Sequence, residues 1–346
     1  MLVRSDGLGA HVGGHRQPGR PSRFTDRSPR VRRGRVHRAP ASDSPGAPRP
    51  SAVGPATDLD GRARPAILAA AAPHRGGTVK ISFITANFVA EEVGYNLHPF
   101  VWAEADRATV EAFHGPQFAT KFENLVRRVK DLGFDYIDIW VAHLNPWRAT
   151  DSMVDEAVAI LRQYGLTVVA YTAGLGRPHM TTAQAERVYQ VARRLGTPIL
   201  AVGLHPTNED LAYRLGREYG IRYAIENHPE KTPDELLRRI GDRADVLGVT
   251  SDTGFWGFHG FDPVEATYRL KDVLLHVHLK DVTLGEGRHE SCAYGRGVVD
   301  IRGVVQALRA IGYQGAVSVE HEPHDRDPSL EVQESLQRLR TWLAAS

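Results

Sequence analysis

Short β-branched or aromatic runs alternate with amphipathic segments at helical spacing from Val79 to the end of the chain. Eight runs of the first kind predict strands: Lys80–Ala86, Phe134–Val141, Leu166–Tyr171, Pro198–Gly203, Ile221–Glu226, Val246–Ser251, Leu274–Leu279 and Ala316–Glu320. Eight segments of the second kind predict helices: Phe118–Leu132, Met153–Tyr164, Ala183–Leu195, Asp210–Tyr219, Pro233–Ile240, Pro263–Leu270, Ile301–Ile311 and Leu330–Leu343. Eight strands, each followed by a helix, predict an α/β fold, a closed parallel (β/α)8 TIM barrel of typical size.

Glycine marks several of the predicted helix ends. Five glycines stand just before a predicted strand: Gly133, Gly165, Gly196, Gly220 and Gly312. This is the C-cap position, where glycine adopts a left-handed conformation at low cost. The main competing fold, a doubly wound sheet, is expected to have a glycine-rich phosphate turn after its first strand. The segment Thr85-Ala86-Asn87-Phe88 is not such a turn, so we expect a barrel with functional residues at the C-terminal ends of its strands.

The N-terminal part of the chain differs in composition from the rest. Residues 1–78 carry fourteen Arg and five Asp, a net charge of +9, whereas residues 79–346 carry 29 basic and 36 acidic side chains, a net charge of −7. Rich in Arg, Pro and Gly and poor in large apolar side chains, residues 1–78 are predicted to be a disordered extension of a barrel domain at 79–346. We interpret this segment as a dispensable or mis-assigned extension. A nucleic-acid or membrane-surface arm and a targeting peptide are the alternatives.

The compartment and the class of partner can also be predicted. Cys292 is the single cysteine, so no disulfide forms within the chain, which fits a cytoplasmic protein. No apolar run approaches the roughly 20 residues that a membrane helix needs. Together with the acidic body, these features predict a small-molecule partner, with no nucleic acid and no membrane.

Strands five to eight of the predicted barrel deliver four metal-ligand residues to one rim: Glu226, Asp252, His278 and Glu320. Each follows apolar residues, so its charge is partly desolvated, and three clustered carboxylates repel one another unless a cation neutralises them. A single glutamate at a strand end is commonly a solvated rim residue, but the four together indicate a divalent metal site. Oxygen ligands with one imidazole suit Mn²⁺ or Mg²⁺, with Co²⁺, Fe²⁺ and Zn²⁺ also tolerated, and we expect Mn²⁺ first.

Five motifs carry a resemblance to a known family: Glu226-Asn227-His228-Pro229-Glu230, Asp252-Thr253-Gly254, His276–Asp281, Gly295–Asp300 and Glu320–Pro323. From about Lys80 to Leu343 the chain resembles the xylose isomerase-like barrel superfamily of sugar isomerases and epimerases. Its members include ketose 3-epimerases, keto-inositol isomerases and inosose dehydratases, and endonuclease IV is a more distant relative. The resemblance implies that Glu226, Asp252, His278 and Glu320 bind the metal and that the two glutamates exchange protons with substrate. It also suggests a homo-oligomer and a carbohydrate or cyclitol partner.

This ligand set predicts proton transfer beside a carbonyl group. A metal bound to adjacent carbonyl and hydroxyl oxygens acidifies the intervening C–H bond, and Glu226 and Glu320, as catalytic carboxylates, remove and return the proton. We therefore expect a divalent-metal-dependent isomerase or epimerase of a keto-sugar or keto-inositol, acting through a metal-bound enediolate. A lyase or dehydratase on a keto-sugar or inosose uses the same base and metal and stays open as the alternative. The acidic body disfavours an endonuclease IV-like phosphodiesterase, and the intact ligand set disfavours a non-catalytic sugar-binding barrel.

Two departures from the family pattern concern substrate binding. Epimerase relatives often carry His three residues beyond the aspartate, where this chain has Phe255, and ketose epimerases carry Arg six residues after the metal histidine, where it has Leu284. Other side chains at the rim must then hold the substrate oxygens. The candidate substrate-binding residues are His143, His228, Trp256, His259 and Lys280.

Overall fold

Ten strands form within the part of the chain that the computed structural model describes, residues 79–285 and 288–344. They are β1 (Lys80–Ile84), β2 (Tyr136–Trp140), β3 (Thr167–Thr172), β4 (Ile199–Val202), β5 (Arg222–Glu226), β6 (Leu247–Asp252), β7 (Leu274–Leu279), β8 (Asp281–Gly285), β9 (Arg288–Cys292) and β10 (Ala316–Val319). The disordered extension predicted over residues 1–78 lies outside the described residues.

Eight of the strands close into a barrel in the order β1-β10-β7-β6-β5-β4-β3-β2, and every neighbouring pair is parallel. The TIM barrel prediction is therefore confirmed. In this order β1 and β2 stand across the barrel from β5 and β6, four strands away. The other two strands, β8 and β9, form an antiparallel hairpin that follows β7.

Ten α-helices accompany the strands within the described ranges. They are α1 (Trp102–Phe113), α2 (Phe118–Asp131), α3 (Asp151–Gln163), α4 (Thr182–Leu195), α5 (Glu209–Tyr219), α6 (Pro233–Ile240), α7 (Thr253–His259), α8 (Pro263–Arg269), α9 (Ile301–Ala310) and α10 (Ser329–Ala344). All eight predicted helices are present, with ends within a few residues of the expected ones. The five predicted C-cap glycines have φ between 65° and 93°. Among these helices, none combines the length and apolar character needed to cross a membrane.

Three elements were not predicted: α1, α7 and the hairpin of β8 and β9. Helix α1 lacks a side-chain cap at Val101 and buries only Ala105, Thr109 and Phe113, a narrow face with a weak helical pattern. Helix α7 contains two glycines, which lower its helix propensity, but its first backbone N–H groups are capped by Asp252. The hairpin is polar, so its strands carry little of the apolar alternation from which strands are recognised.

A polar layer lies inside the barrel. Ser82, Asp138, His276 and Ser318 are fully buried. Asp138 on β2 contacts His276 on β7 through the barrel interior, with His276 Nε2 3.1 Å from Asp138 Oδ2. Ser318 Oγ lies 3.0 Å from His276 Nε2 and 2.5 Å from Ser82 Oγ. Because buried polar groups need partners, this network fixes the orientation of the side chains directly beneath the rim.

Candidate active site

The four predicted ligand residues meet at the C-terminal rim of the barrel. Glu226 ends β5, Asp252 ends β6, His278 is the penultimate residue of β7, and Glu320 directly follows β10. Their exposures are 3%, 0%, 0% and 4%. Asp252 is paired in register with His278, and the backbone N–H of Glu320 donates to the carbonyl of Leu279. The parallel strands thus bring residues that are far apart in sequence to the same height along the barrel axis.

Two of the carboxylates converge on one imidazole nitrogen. His278 Nδ1 lies 2.5 Å from Glu226 Oε1 and 3.4 Å from Glu320 Oε2. In the barrel order, β5 and β10 flank the pair β6 and β7, so the two glutamates reach His278 from strands on either side. Burial alone would raise the pKa of Glu226, but the charges and hydrogen bonds of His228 and His278 hold it well below its ordinary value.

Among the four predicted ligands, two buried carboxylate oxygens have no hydrogen-bond partner in the described residues: Asp252 Oδ2 and Glu320 Oε2. The other oxygen of Asp252 accepts from the backbone N–H groups of Gly254 and Phe255 at 2.7 and 3.1 Å. Burial, with the nearby charge of Glu320, raises the pKa of Asp252 to about 6. A buried carboxylate oxygen without a hydrogen bond is costly, and a cation would offset that cost.

The donor atoms form two groups of three, each close enough to share a metal ion. One ligand atom from each of Glu226, His278 and Glu320 lies within 4.8 Å of the others, and the same holds for Glu226, His228 and Asp252. The two groups share Glu226. Carboxylate oxygens with one or two imidazoles are suited to Mn²⁺, Mg²⁺ or a similar divalent ion. The residues present therefore fit a divalent cation.

Lys280 places a buried positive charge beside these carboxylates. Its Nζ lies 2.5 Å from Glu322 Oε2, 3.1 Å from Glu320 Oε1 and 3.9 Å from Asp252 Oδ2. Glu322 points into the cavity, as strand alternation from Glu320 predicts. Burial raises the pKa of Glu322 to about 8, although the charge of Lys280 opposes the rise. The ammonium group is thus shared between the predicted ligand Glu320 and a second carboxylate.

Asp138 is a component of the site that the sequence analysis missed. Its Oδ2 lies 3.1 Å from the Nε2 atoms of both His276 and His278, and its Oδ1 accepts a hydrogen bond of 2.7 Å from Thr172. Since a carboxylate only accepts, His278 donates through Nε2 and directs Nδ1 toward the glutamates. A charged residue between Ile137 and Ile139 in an otherwise apolar strand was the available signal.

The rim residues open into a cavity of about 500 Å³. Its size is in the range of small-molecule sites. Of the predicted ligands, Glu226, His278 and Glu320 line it, and of the predicted substrate-binding residues, His228 and Lys280 do so. The other lining residues are Ile84, Ala86, Phe100, Trp102, Trp140, Val141, Thr172, Val202, Phe255, His289, Ser291, Glu322 and His324.

Trp256 and His259 do not line this cavity. Trp256 is 0% exposed, and its Nε1 donates to Ser251 Oγ at 2.9 Å. The ring is therefore part of the core rather than a wall against substrate, and Phe255 lines the cavity in its place. His259 Nε2 lies 3.1 Å from the carbonyl oxygen of His228. It holds the backbone of the rim, so its predicted contact with substrate has no support from its position.

His143 also lies outside the cavity. Its Nδ1 lies 3.0 Å from Thr85 Oγ1, and its ring packs edge-on against Phe113 at 4.6 Å. It lines a separate cavity near Lys121. Burial lowers the pKa of His143 to about 3, so the ring is neutral. The turn after β2 directs this histidine away from the rim carboxylates, and its predicted contact with substrate has no support from this position.

Asp281 anchors the loop that follows the hairpin. Its Oδ2 accepts from the backbone N–H groups of Gly295 and Gly297 at 2.7 and 3.0 Å, and its Oδ1 accepts from Val299 at 3.1 Å. A Cβ at Gly297 would lie 2.2 Å from Asp281 Oδ1, which explains why glycine stands there. These hydrogen bonds therefore join two of the sequence motifs into one structural unit, His276–Asp281 and Gly295–Asp300.

Asp281→Ala is expected to lower the free energy of unfolding by at least about 1.5–3 kcal/mol, the range for a hydrogen bond to a charged group. Three backbone donors would lose their acceptor. Urea unfolding measures the change, and Asp242→Ala, at an exposed position, is the control and should change stability by less than about 0.5 kcal/mol. Equal stability of the two variants would contradict the anchoring role.

Known proteins resemble this chain in both sequence and fold. A family model described as Xylose isomerase-like TIM barrel matches residues 126–342. The inosose dehydratase of Lacticaseibacillus casei is 25% identical over 168 residues, which cover 44% of this chain and 51% of that protein. Matches to the curated relatives span between 39% and 51% of their length.

Solved structures show the same fold at lower identity. D-allulose 3-epimerase from Methylomonas sp., in complex with D-allulose, superposes with a TM-score of 0.56 at 15% identity, over 77% of this chain and 97% of that one. A xylose isomerase-like TIM barrel protein from Mycobacterium smegmatis, in complex with magnesium, gives 0.53 at 21% identity, over 65% and 90%. At these identities the likeness concerns the fold alone.

Proposed function

This chain belongs to the xylose isomerase-like TIM-barrel family, and on that basis we propose that it is a divalent-metal-dependent isomerase or epimerase of a keto-sugar or keto-inositol. The observation that carries the proposal is the convergence of Glu226 and Glu320 on His278 in a substrate-sized cavity. The orphaned oxygens of Asp252 and Glu320 support a cation at the same place. A carbohydrate partner is supported by the sugar epimerases that share the fold.

Glu226, Asp252, His278 and Glu320 would hold the metal. When bound, a divalent cation polarises a substrate carbonyl and favours ionisation of the adjacent C–H bond. We expect Mn²⁺ first, and the magnesium complex of a related barrel makes Mg²⁺ the next ion to test.

The two glutamates would move the proton. One carboxylate removes it from the carbon beside the carbonyl, and the other returns it to the neighbouring carbon or to the opposite face. Each glutamate has a cationic or imidazole partner: Lys280 Nζ lies 3.1 Å from Glu320 Oε1, and His228 Nε2 lies 3.2 Å from Glu226 Oε2. Lys280 also lines the cavity, where its ammonium group can donate to a substrate oxygen.

A dehydratase is the second candidate, favoured by the similarity to inosose dehydratase. Removal of the same proton, followed by loss of a hydroxyl group from the next carbon, gives elimination instead of isomerisation. The base and the ligand residues are the same in both reactions. The product decides between them, because only elimination introduces new unsaturation.

Metal content and deuterium exchange test the proposal. The full chain is expected to carry about one divalent metal per molecule by elemental analysis. The Mn²⁺-loaded protein, incubated in D₂O with keto-inositols and ketoses, should introduce deuterium beside the carbonyl, as read by NMR. Exchange with an isomeric product supports the isomerase, and exchange with an unsaturated product supports the dehydratase. Absence of bound metal would contradict the proposed site.

A further inference from the structure

One side of the cavity is aromatic. Trp102 at the start of α1, Phe100 before it and Trp140 at the end of β2 all line the cavity. Their rings form a continuous group: Trp102 lies edge-on to Trp140 at 6.0 Å and to Phe100 at 6.1 Å. His324 stacks on Phe100 at 3.6 Å with an angle of 8°. We call Phe100, Trp102 and Trp140 the aromatic shelf.

The aromatic shelf lies across the barrel from part of the candidate metal site. Trp140 ends β2, whereas Glu226 and Asp252 end β5 and β6, three and four strands away in the closed order. Two cavity residues beside Trp140, Ile84 and Val141, are also apolar, whereas the histidine His324 lies against Phe100. A molecule that reaches from the rim carboxylates to the shelf therefore passes from a charged to an apolar environment.

The shelf is backed by packing of its own at Trp140, and Trp102 is its exposed ring. Trp140 is 4% exposed and belongs to a small apolar cluster with Ile84, Ala86 and Ala105, separate from the main core. Trp102 is 41% exposed although its ring is large and apolar. A ligand that covers an exposed tryptophan in a cavity removes apolar surface from water, and this favours binding of the ligand.

We propose that the aromatic shelf is a subsite for a planar apolar group joined to the sugar or cyclitol ring, so that the substrate is an aryl glycoside-like ketone and not a free monosaccharide. The proposal rests on the proposed function for the position of the reacting ring. Its own basis is that three aromatic rings line the same cavity as the carboxylates of Glu226 and Glu320. A planar apolar ring covers this surface without burying hydroxyl groups that need partners, whereas a sugar meets it only with the C–H face of its ring.

Binding of two glycosides to the full chain tests the shelf. The probes are phenyl β-D-glucopyranoside and methyl β-D-glucopyranoside, measured by titration calorimetry. We expect the phenyl glucoside to bind at least about tenfold more tightly to the wild type, because its ring covers the shelf. The preference should fall to about twofold or less in Trp102→Ala. Trp147→Ala is the matched control, since Trp147 does not line the cavity, and should keep the preference.

Three results would overturn the proposal: no measurable binding of the phenyl glucoside, equal binding of the two glucosides, or a preference that survives in Trp102→Ala. If the two glucosides bind equally well and Trp102→Ala weakens the binding of both, the shelf packs against the sugar ring itself. Circular dichroism verifies that the variants are folded, and Phe100→Ala provides a second test of the same surface. Because the assay measures binding without turnover, failure of the shelf is distinguishable from failure of metal binding or deuterium exchange.

Discussion

Replacing Glu226 or Glu320 by glutamine will reduce deuterium exchange by at least about 10²-fold, the lower end of the contribution of a positioned acid or base. Glutamine keeps the shape of each side chain but can neither accept the proton nor supply a full charge to a cation. Both carboxylates lie within 3.4 Å of His278 Nδ1, so either loss also alters the candidate metal site. The measurement is the NMR rate of exchange in D₂O with Mn²⁺ at saturation.

A metal titration on the same variants separates the two roles. If a glutamate acts as both ligand and base, Mn²⁺ binds more weakly and exchange stays slow even when the ion is saturating. Glu111→Gln is the control, since Glu111 is exposed on α1, and should behave as wild type. Exchange at the wild-type rate in either Glu226→Gln or Glu320→Gln would contradict its role in proton transfer.

Asp138→Asn is expected to weaken Mn²⁺ binding by about 10- to 100-fold, the usual effect of removing the hydrogen-bond partner of a metal-bound histidine. Asp138 Oδ2 accepts from His278 Nε2 at 3.1 Å, so a cation bound at Nδ1 would replace the proton that Nδ1 donates to Glu226 at 2.5 Å. With asparagine, the negative charge that fixes this tautomer is lost. Competition with a chromogenic chelator measures the affinity.

Ser82→Ala is the matched control for Asp138→Asn. Ser82 belongs to the same buried layer through Ser318, but no hydrogen bond between Ser82 and His278 is present in the described structure. We expect its Mn²⁺ affinity to stay within about threefold of wild type, since its effect should be on packing alone. Thermal unfolding of the metal-free proteins detects general destabilisation. Unchanged affinity in Asp138→Asn would show that another contact orients His278.

The strands and helices of the barrel could be predicted because each leaves a periodic pattern in its own segment. The predicted helix Pro233–Ile240 has the observed ends, and β7 spans the predicted residues Leu274–Leu279. Helix α7 could not be predicted in this way. It begins because the side chain of Asp252 caps it, whereas the sequence analysis had interpreted that aspartate only as a metal ligand.

The structure bears differently on the predicted ligands of the candidate site and on the residues predicted around them. The structure brings Glu226, Asp252, His278 and Glu320 together, and their role as ligands remains a prediction. Trp256 is in the core, although its place near the end of a predicted strand makes it a candidate substrate-binding residue. The direction of such a side chain depends on the turn after the strand, and the hydrophobic pattern does not specify that turn.

The sequence by itself determined the fold class, the positions of the strand ends and the residue types that gather there, because these follow from local periodicity and from the geometry that all parallel barrels share. Only the tertiary structure decided that Asp138 holds His278, that Lys280 bridges Glu320 and Glu322, and that Phe100 and Trp102 face the cavity. These contacts join residues far apart in the chain. They form because closure of the barrel and packing of α1 bring together side chains that have no common pattern in the sequence.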